Sequence, residues 1–126
     1  MAREIGDEGA YRARAIEALK AAQDNLTQSH LETAVSRAYY ACFYAVHSRL
    51  AALKAVAMSH KRTGILFRKY FIATGEIDKR FNATWSALQE HRMDADYAAV
   101  PSLDPERAKK LVSQAREFVE GLLAGG

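Results

Sequence analysis

The sequence predicts an all-α protein, an antiparallel up-and-down bundle of four to five helices. Its 126 residues include only two prolines and seven glycines, so few positions interrupt a helix. Alanine, leucine, arginine, lysine and glutamate recur throughout, and apolar residues return at helical spacing between short polar turns. A chain of this length is expected to form one domain, residues 1–126, that buries roughly two-thirds of its unfolded-state surface.

Five helices are expected in order along the chain. The first four cover about 8–26, 30–55, 59–72 and 76–99, and the fifth begins at 105. Residue types that begin or end helices set these bounds. Helix starts are predicted at a capping box formed by Ser29 and Glu32, at a second serine cap, Ser59, and at Asp104 before Pro105. A helix end is predicted at Gly75.

Composition narrows the class of protein. The single Cys42 cannot form an internal disulfide and lies among aromatic residues, which favours a packed core thiol over a reactive one. The polar, acidic start argues against a signal peptide, and the longest apolar runs are too short to span a membrane. The chain is therefore expected to be soluble and cytoplasmic, with no membrane association, no bound metal and no cofactor.

Positive charge is concentrated between residues 60 and 80, although the net charge of the chain is only +3. Such a cluster is explained either by a solvated helix face or by a patch that binds RNA. If it is a patch, the residues expected to carry binding are Lys61, Arg62, Arg68 and Lys69.

The second helix carries two stripes of side chains. The expected core stripe is Tyr39, Phe43, Val46, Leu50 and Leu53. A second stripe, roughly a quarter-turn away, consists of Arg37, Tyr40, Tyr44 and His47. Two tyrosines on this flank have three explanations: they pack at a helix edge with their hydroxyls in water, they form a subunit interface, or they contact a ligand. Because one bundle of this size covers such a stripe poorly, a homodimer is expected.

The fourth helix places an arginine on its apolar face. Phe81, Trp85 and Leu88 share one side, and Arg92 continues that line within about 20°. An unpaired buried guanidinium costs several kcal/mol, so a pair with Asp96 one turn later is predicted. The pair is either a structural ion pair at the end of the bundle or part of a polar pocket against the second helix.

Three sequence pieces together resemble the HEPN domain (higher eukaryotes and prokaryotes nucleotide-binding), in particular its small stand-alone prokaryotic members. They are Ser36-Arg37-Ala38-Tyr39-Tyr40, Ser59-His60-Lys61 and Arg92-Met93-Asp94-Ala95-Asp96-Tyr97. The resemblance implies a helical bundle that usually dimerises. Many members are metal-independent ribonucleases, often toxins paired with a nucleotidyltransferase antitoxin encoded by a neighbouring gene.

The resemblance also implies an active motif, Arg-x(4-6)-His, which this chain completes only in part. Arg92 fits the arginine, but Tyr97, Ala98 and Ala99 occupy the histidine positions. Tyrosine titrates near 10 and replaces a histidine poorly in proton transfer. Asp96 is weakened as a base if it pairs with Arg92. An alternative that the resemblance alone implies is that Tyr97 accepts a nucleotidyl group.

Two functions follow as hypotheses. The first is a HEPN protein of a toxin–antitoxin-like two-gene module that binds RNA or nucleotide with weak or absent ribonuclease activity. The second is a non-enzymatic helical dimer that serves a nucleotidyltransferase partner. The site residues expected for the first are Arg92, Asp96 and Tyr97, with an interface or pocket formed by Arg37, Tyr40, Tyr44, His47 and His60.

Overall fold

The computed structural model describes residues 8–55, 57–97 and 103–125, and describes side chains in the second range only as far as Arg92. Over this part the chain is all-α, as predicted. Its elements are α1 (Glu8–Thr27), α2 (Leu31–Ala52), α3 (His60–Phe67), a π-helical turn (Arg68–Ile72), α4 (Arg80–Tyr97) and α5 (Pro105–Ala124).

Helix α2 lies at the centre of the bundle and packs against α1, α4 and α5. Aromatic rings fill the space between the helices: Tyr39, Phe67, Phe71, Trp85 and Phe118 are all at most 1% exposed. Burying such large side chains is the main stabilising contribution, roughly 1.5–3 kcal/mol for each. The predicted apolar face of α4 is confirmed, since Phe81, Trp85 and Leu88 are buried.

Two predicted helix starts are confirmed and one is wrong. The side chains of Ser59 and Asp104 accept hydrogen bonds from the backbone N–H groups of Arg62 and Arg107. Ser29 does not cap α2, because it ends α1 instead. It has a φ of 64°, its N–H bonds the Leu26 carbonyl, and the next N–H bonds the Asn25 carbonyl. This is a Schellman motif, which satisfies the last carbonyls of α1.

The end of α2 repeats that motif three residues before the predicted boundary. Lys54 has a φ of 59°, and the N–H groups of Lys54 and Ala55 bond the carbonyls of Ala51 and Leu50. Leu53 therefore lies past the helix and is 52% exposed, so its assignment to the core stripe is wrong. Helix α4 also begins later than predicted, because the Asp78 carboxylate accepts the N–H of Arg80.

The predicted third helix is divided. After Phe67 the chain widens into a π turn in which the N–H of Ala73 bonds the Arg68 carbonyl. Arg49 of α2 holds this region: it forms an ion pair with Glu76, lies over the Phe71 ring and donates a hydrogen bond to the Leu122 carbonyl. As predicted, Gly75 ends the segment, with a φ of 76° that favours glycine.

Cys42 is fully buried, as predicted, and burial raises the pKa of its thiol. That environment keeps the sulfur protonated and unreactive. Of the helices described here, none combines the length and apolar character that crossing a membrane requires.

Candidate functional site

Arg92 lies where α4 meets α2, over two tyrosine rings. Its guanidinium carbon is 5.2 Å from the centroid of Tyr39 and 5.9 Å from that of Tyr40. Both distances are within the range of a cation–π interaction. Arg92 thus lies against α2, the helix against which one of the two sequence-based alternatives placed a polar pocket. Its proposed partner Asp96 and the neighbouring Tyr97 have side chains outside the described residues.

Tyr40 is shared by two cations. Arg37, one turn earlier on α2, places its guanidinium carbon 5.1 Å from the same ring. The ring of Tyr40 and both arginines are half-buried. Two guanidinium groups on one aromatic residue create a positive surface with a flat apolar centre. Such a surface attracts phosphate and stacks a base, because arginine binds phosphate by charge-assisted hydrogen bonds.

His60, the first residue of α3, is held by Tyr39. The Tyr39 hydroxyl oxygen is 2.7 Å from Nδ1 of His60, and the two rings stack with centroids 5.7 Å apart. Tyr39 is 0% exposed. Burial raises the pKa of its hydroxyl, an effect that the charge of Arg92 partly offsets, so the hydroxyl keeps its proton.

A buried hydroxyl proton needs an acceptor, and His60 Nδ1 is the one that the described residues provide. Tyr39 therefore donates to Nδ1, and the proton of the neutral His60 ring is on Nε2. Burial lowers the pKa of His60, and the positive charge of Arg92 lowers it further. At neutral pH, His60 is accordingly an uncharged ring that offers an N–H to a ligand.

Phe43 completes the surroundings of His60. Its ring centroid is 4.6 Å from that of His60 and 4.5 Å from that of His47, so it contacts both imidazoles. Phe43 is half-buried on α2, where the sequence predicted a core position. The sequence placed His60 in the pocket group but gave no signal that Tyr39 and Phe43, assigned to the core, would form its walls.

His47 has a structural partner. Its Nε2 is 3.0 Å from the Thr63 hydroxyl oxygen, and that hydroxyl donates its own proton to the Ser59 carbonyl at 2.8 Å. Thr63 can therefore only accept from His47, which fixes the His47 proton on Nε2. Burial lowers the pKa of His47, and the nearby His60 lowers it further. His47 ties α2 to α3 and is not available as a base at Nε2.

Tyr44, predicted with the same stripe, turns towards α1. Its ring stacks on Tyr11 with centroids 6.4 Å apart, and the Arg14 guanidinium carbon is 4.5 Å from its centroid. Tyr11 also contacts His47, at 5.2 Å between centroids. Helix α1 thus covers the end of the stripe that carries Tyr44 and His47. At the other end Tyr40 lies under Arg92, whereas Arg37 lines a small surface pocket with Arg14 and Glu17 of α1.

The predicted RNA-binding residues occupy α3 and the π turn. Lys61, Arg62 and Lys69 are exposed, whereas Arg68 is half-buried with its Nη1 3.5 Å from the Asn82 side-chain oxygen. Lys61 directly follows His60 in the first turn of α3. Positive charge therefore begins beside the cluster formed by Tyr39, Tyr40, Phe43, His60 and Arg92, which we call the Arg92 cluster.

Known proteins match this chain over most of its length. The model of the HEPN domain family matches residues 10–123. A UPF0332 protein of Thermotoga maritima is 33% identical, with 89% of this chain and 85% of that protein aligned. A UPF0332 protein of Gloeobacter violaceus is 29% identical, over 85% of this chain and 86% of that protein. "Putative toxin MJ0142" of Methanocaldococcus jannaschii is 28% identical, over 84% and 72% respectively.

Proposed function

Because this chain belongs to the HEPN domain family, we propose that it is one component of a toxin–antitoxin-like two-gene module and binds RNA or a nucleotide at the Arg92 cluster. The similarity to a relative named as a toxin supports the module. The arrangement of Arg37 and Arg92 on the ring of Tyr40 carries the binding proposal, because cations around a half-buried aromatic ring suit both a phosphate and a base.

Cleavage of the bound RNA is proposed to be weak or absent. A metal-independent ribonuclease takes a proton from the 2′-hydroxyl and returns one to the leaving 5′-oxygen, which requires a base with a free lone pair. In His60 the Nδ1 lone pair is used by Tyr39, and Nε2 holds the proton. His60 thus acts in this proposal as a hydrogen-bond donor to phosphate.

The proposed partners are a second copy of this chain and a nucleotidyltransferase antitoxin.

The exposed Lys61, Arg62 and Lys69 extend the positive surface next to His60, and we propose that they contact further phosphates of a bound strand. Binding of single-stranded RNA is then expected to weaken steeply with salt. Reversing two of these charges should weaken binding to all sequences about equally.

Calorimetric titration with AMP and with a short single-stranded RNA tests the binding proposal. Arg92→Gln removes the cation that lies over Tyr39 and Tyr40. The matched control Arg116→Gln removes one exposed cation from α5. Losing a hydrogen bond to a charged group costs about 1.5–3 kcal/mol, so Arg92→Gln should weaken binding by about tenfold or more. The control should bind as the wild type does.

Two results would count against this function. If neither ligand binds the wild type at low salt, the second hypothesis, a non-enzymatic partner of a nucleotidyltransferase, takes its place. If Arg92→Gln and Arg116→Gln bind equally well, the Arg92 cluster is not the binding site. Rapid cleavage of the RNA, abolished by His60→Gln, would overturn the assignment of His60 as a donor only.

A further inference from the structure

A second basic site lies between α4 and α5, away from the Arg92 cluster. It is a groove of about 310 Å³ lined by Arg80, Ala83, Thr84, Ala87, Arg107, Lys110 and Gln114. The groove residues that belong to α4 lie on a different side of this helix from Phe81, Trp85, Leu88 and Arg92. The two sides are roughly 120° apart around the helix axis. The two positive surfaces therefore face different directions.

Three cations line this groove, and the described lining residues include no carboxylate. Glu117, on the rim, accepts a hydrogen bond of 2.9 Å from Arg80 Nη1. Arg107 and Lys110 have no ion pair within 4.0 Å among the described residues that would neutralise them. Like charges that converge on one concave surface repel each other unless an anion lies between them.

The start of α5 carries both signs of charge. Arg107 is in the first turn of α5 and Lys110 is in the second, while the Asp104 cap and Glu106 place carboxylates at the same end of the helix. These carboxylates offset the partial positive charge of the helix end. The positive character of the groove therefore comes from the three cations that line it.

The walls of the groove indicate which anion fits. Its lining includes Ala83, Ala87 and the buried Thr84, which is 6% exposed, and among its described lining residues there is no aromatic ring on which a base could stack. Gln114 provides an amide on the opposite wall. Small apolar residues, polar side chains and three cations suit a compact group with several oxygens.

We propose that the groove between α4 and α5 binds phosphate groups, independently of base identity, through Arg80, Arg107 and Lys110. The phosphates come either from a free phosphate compound or from the backbone of a nucleic acid strand. This inference does not depend on the Arg92 cluster.

An NMR titration of the wild type with inorganic pyrophosphate tests the site directly. Saturable shifts of the backbone amides of Thr84 and Gln114 are expected. The double variant Arg107→Gln/Lys110→Gln should bind at least about tenfold more weakly, since each lost charge-assisted contact is worth about 1.5–3 kcal/mol. The control Lys109→Gln/Lys20→Gln removes the same charge from exposed positions outside the groove and should behave as the wild type.

A third variant strengthens the site instead of removing it. Glu117→Gln releases Arg80 from its carboxylate partner and should increase pyrophosphate affinity. Absence of shifts at Thr84 and Gln114 in the wild type would overturn the proposal, as would equal binding by the two double variants. Weaker binding by Glu117→Gln would also contradict it.

Single-stranded RNA separates the two sources of phosphate. For single strands, the slope of log K against log salt is negative, and its magnitude decreases by about 0.7 for each phosphate contact removed. If a strand crosses the groove, the magnitude of this slope should therefore be smaller by about 1.4 in the variant Arg107→Gln/Lys110→Gln than in the wild type. If the wild type binds pyrophosphate but the salt slope for RNA is the same in the wild type and the groove double variant, the groove binds free phosphate compounds. Arg92→Gln should leave the shifts at Thr84 and Gln114 intact, so failure of the Arg92 cluster is distinguishable from failure of the groove.

Discussion

Replacing Tyr39 by phenylalanine isolates the hydrogen bond that orients His60. The ring and its contacts with Phe43 and Trp85 remain, while the hydroxyl that is 2.7 Å from Nδ1 is lost. One hydrogen bond contributes about 0.5–1.5 kcal/mol net. His60 is half-buried, so water can replace the lost donor in part. The free energy of unfolding at pH 7.5 should therefore fall by about 1 kcal/mol.

The effect of Tyr39→Phe should depend on pH. Protonation of His60 places a proton on Nδ1, so the Tyr39 hydroxyl can no longer donate there, and the wild type loses this contribution as pH falls. Removing the hydroxyl makes protonation easier, and the pKa of His60 should rise in the variant. Urea denaturation at pH 7.5 and pH 5, with NMR titration of the His60 ring, measures both effects.

Tyr40→Phe is the matched control, because Tyr40 is the next residue, also lies beneath Arg92, and has no side-chain hydrogen bond among the described contacts. It should change stability by less than about 0.5 kcal/mol, because the ring contacts of Tyr40 remain and the hydroxyl that is removed makes no described hydrogen bond. Equal losses in the two variants, or a His60 titration unchanged by Tyr39→Phe, would refute the assignment of Tyr39 as the donor to Nδ1.

Three further outcomes are expected. Gly64→Ala should destabilise the fold by about 1 kcal/mol or more in thermal melts, because its Cβ would be 3.0 Å from Trp85 Nε1; Gly121→Ala, with 3.9 Å to its nearest neighbour, should stabilise it by up to about 1 kcal/mol. Between pH 7 and pH 5 the free energy of unfolding should fall, because the lowered pKa values of His47 and His60 leave the unfolded chain binding more protons. The slope is at most about 1.4 kcal/mol per pH unit for each histidine, and less for half-buried rings; a flat profile would contradict this. Light scattering should show a dimer of the 14.0 kDa chain, and a monomer alone at micromolar concentration would exclude it.

Sequence patterns predicted the helices better than the turns between them. Periodicity identified the apolar face of α4 because helical packing repeats every 3.6 residues, and Ser59 and Asp104 cap helices as expected. Ser29 shows the limit. A serine before a helix suits a cap, but here the carbonyls at the end of α1 require a left-handed residue at the same position. Sequence alone does not show which helix such a residue serves.

The candidate site shows a similar division. Arg92 was placed by periodicity, because its position on the apolar face follows from spacing along one helix. The contact between Tyr39 and His60 joins residues 21 positions apart on different helices, and its geometry depends on how α3 packs on α2. No local pattern encodes that packing, so the orienting role of Tyr39 emerged only from the folded chain.

The π turn at Arg68–Ile72 makes the length of this segment as important as its composition. A π turn accommodates one residue more than an α-helix over the same rise, and Phe71, near the end of this turn, is held by Arg49. Deleting one residue from the turn would let the segment continue as a regular α-helix. With Phe71 fixed, α3 would rotate by about 100° about its own axis. His60 would then leave the aromatic rings of α2, so one deleted codon would take the Arg92 cluster apart although each of its residues was still present.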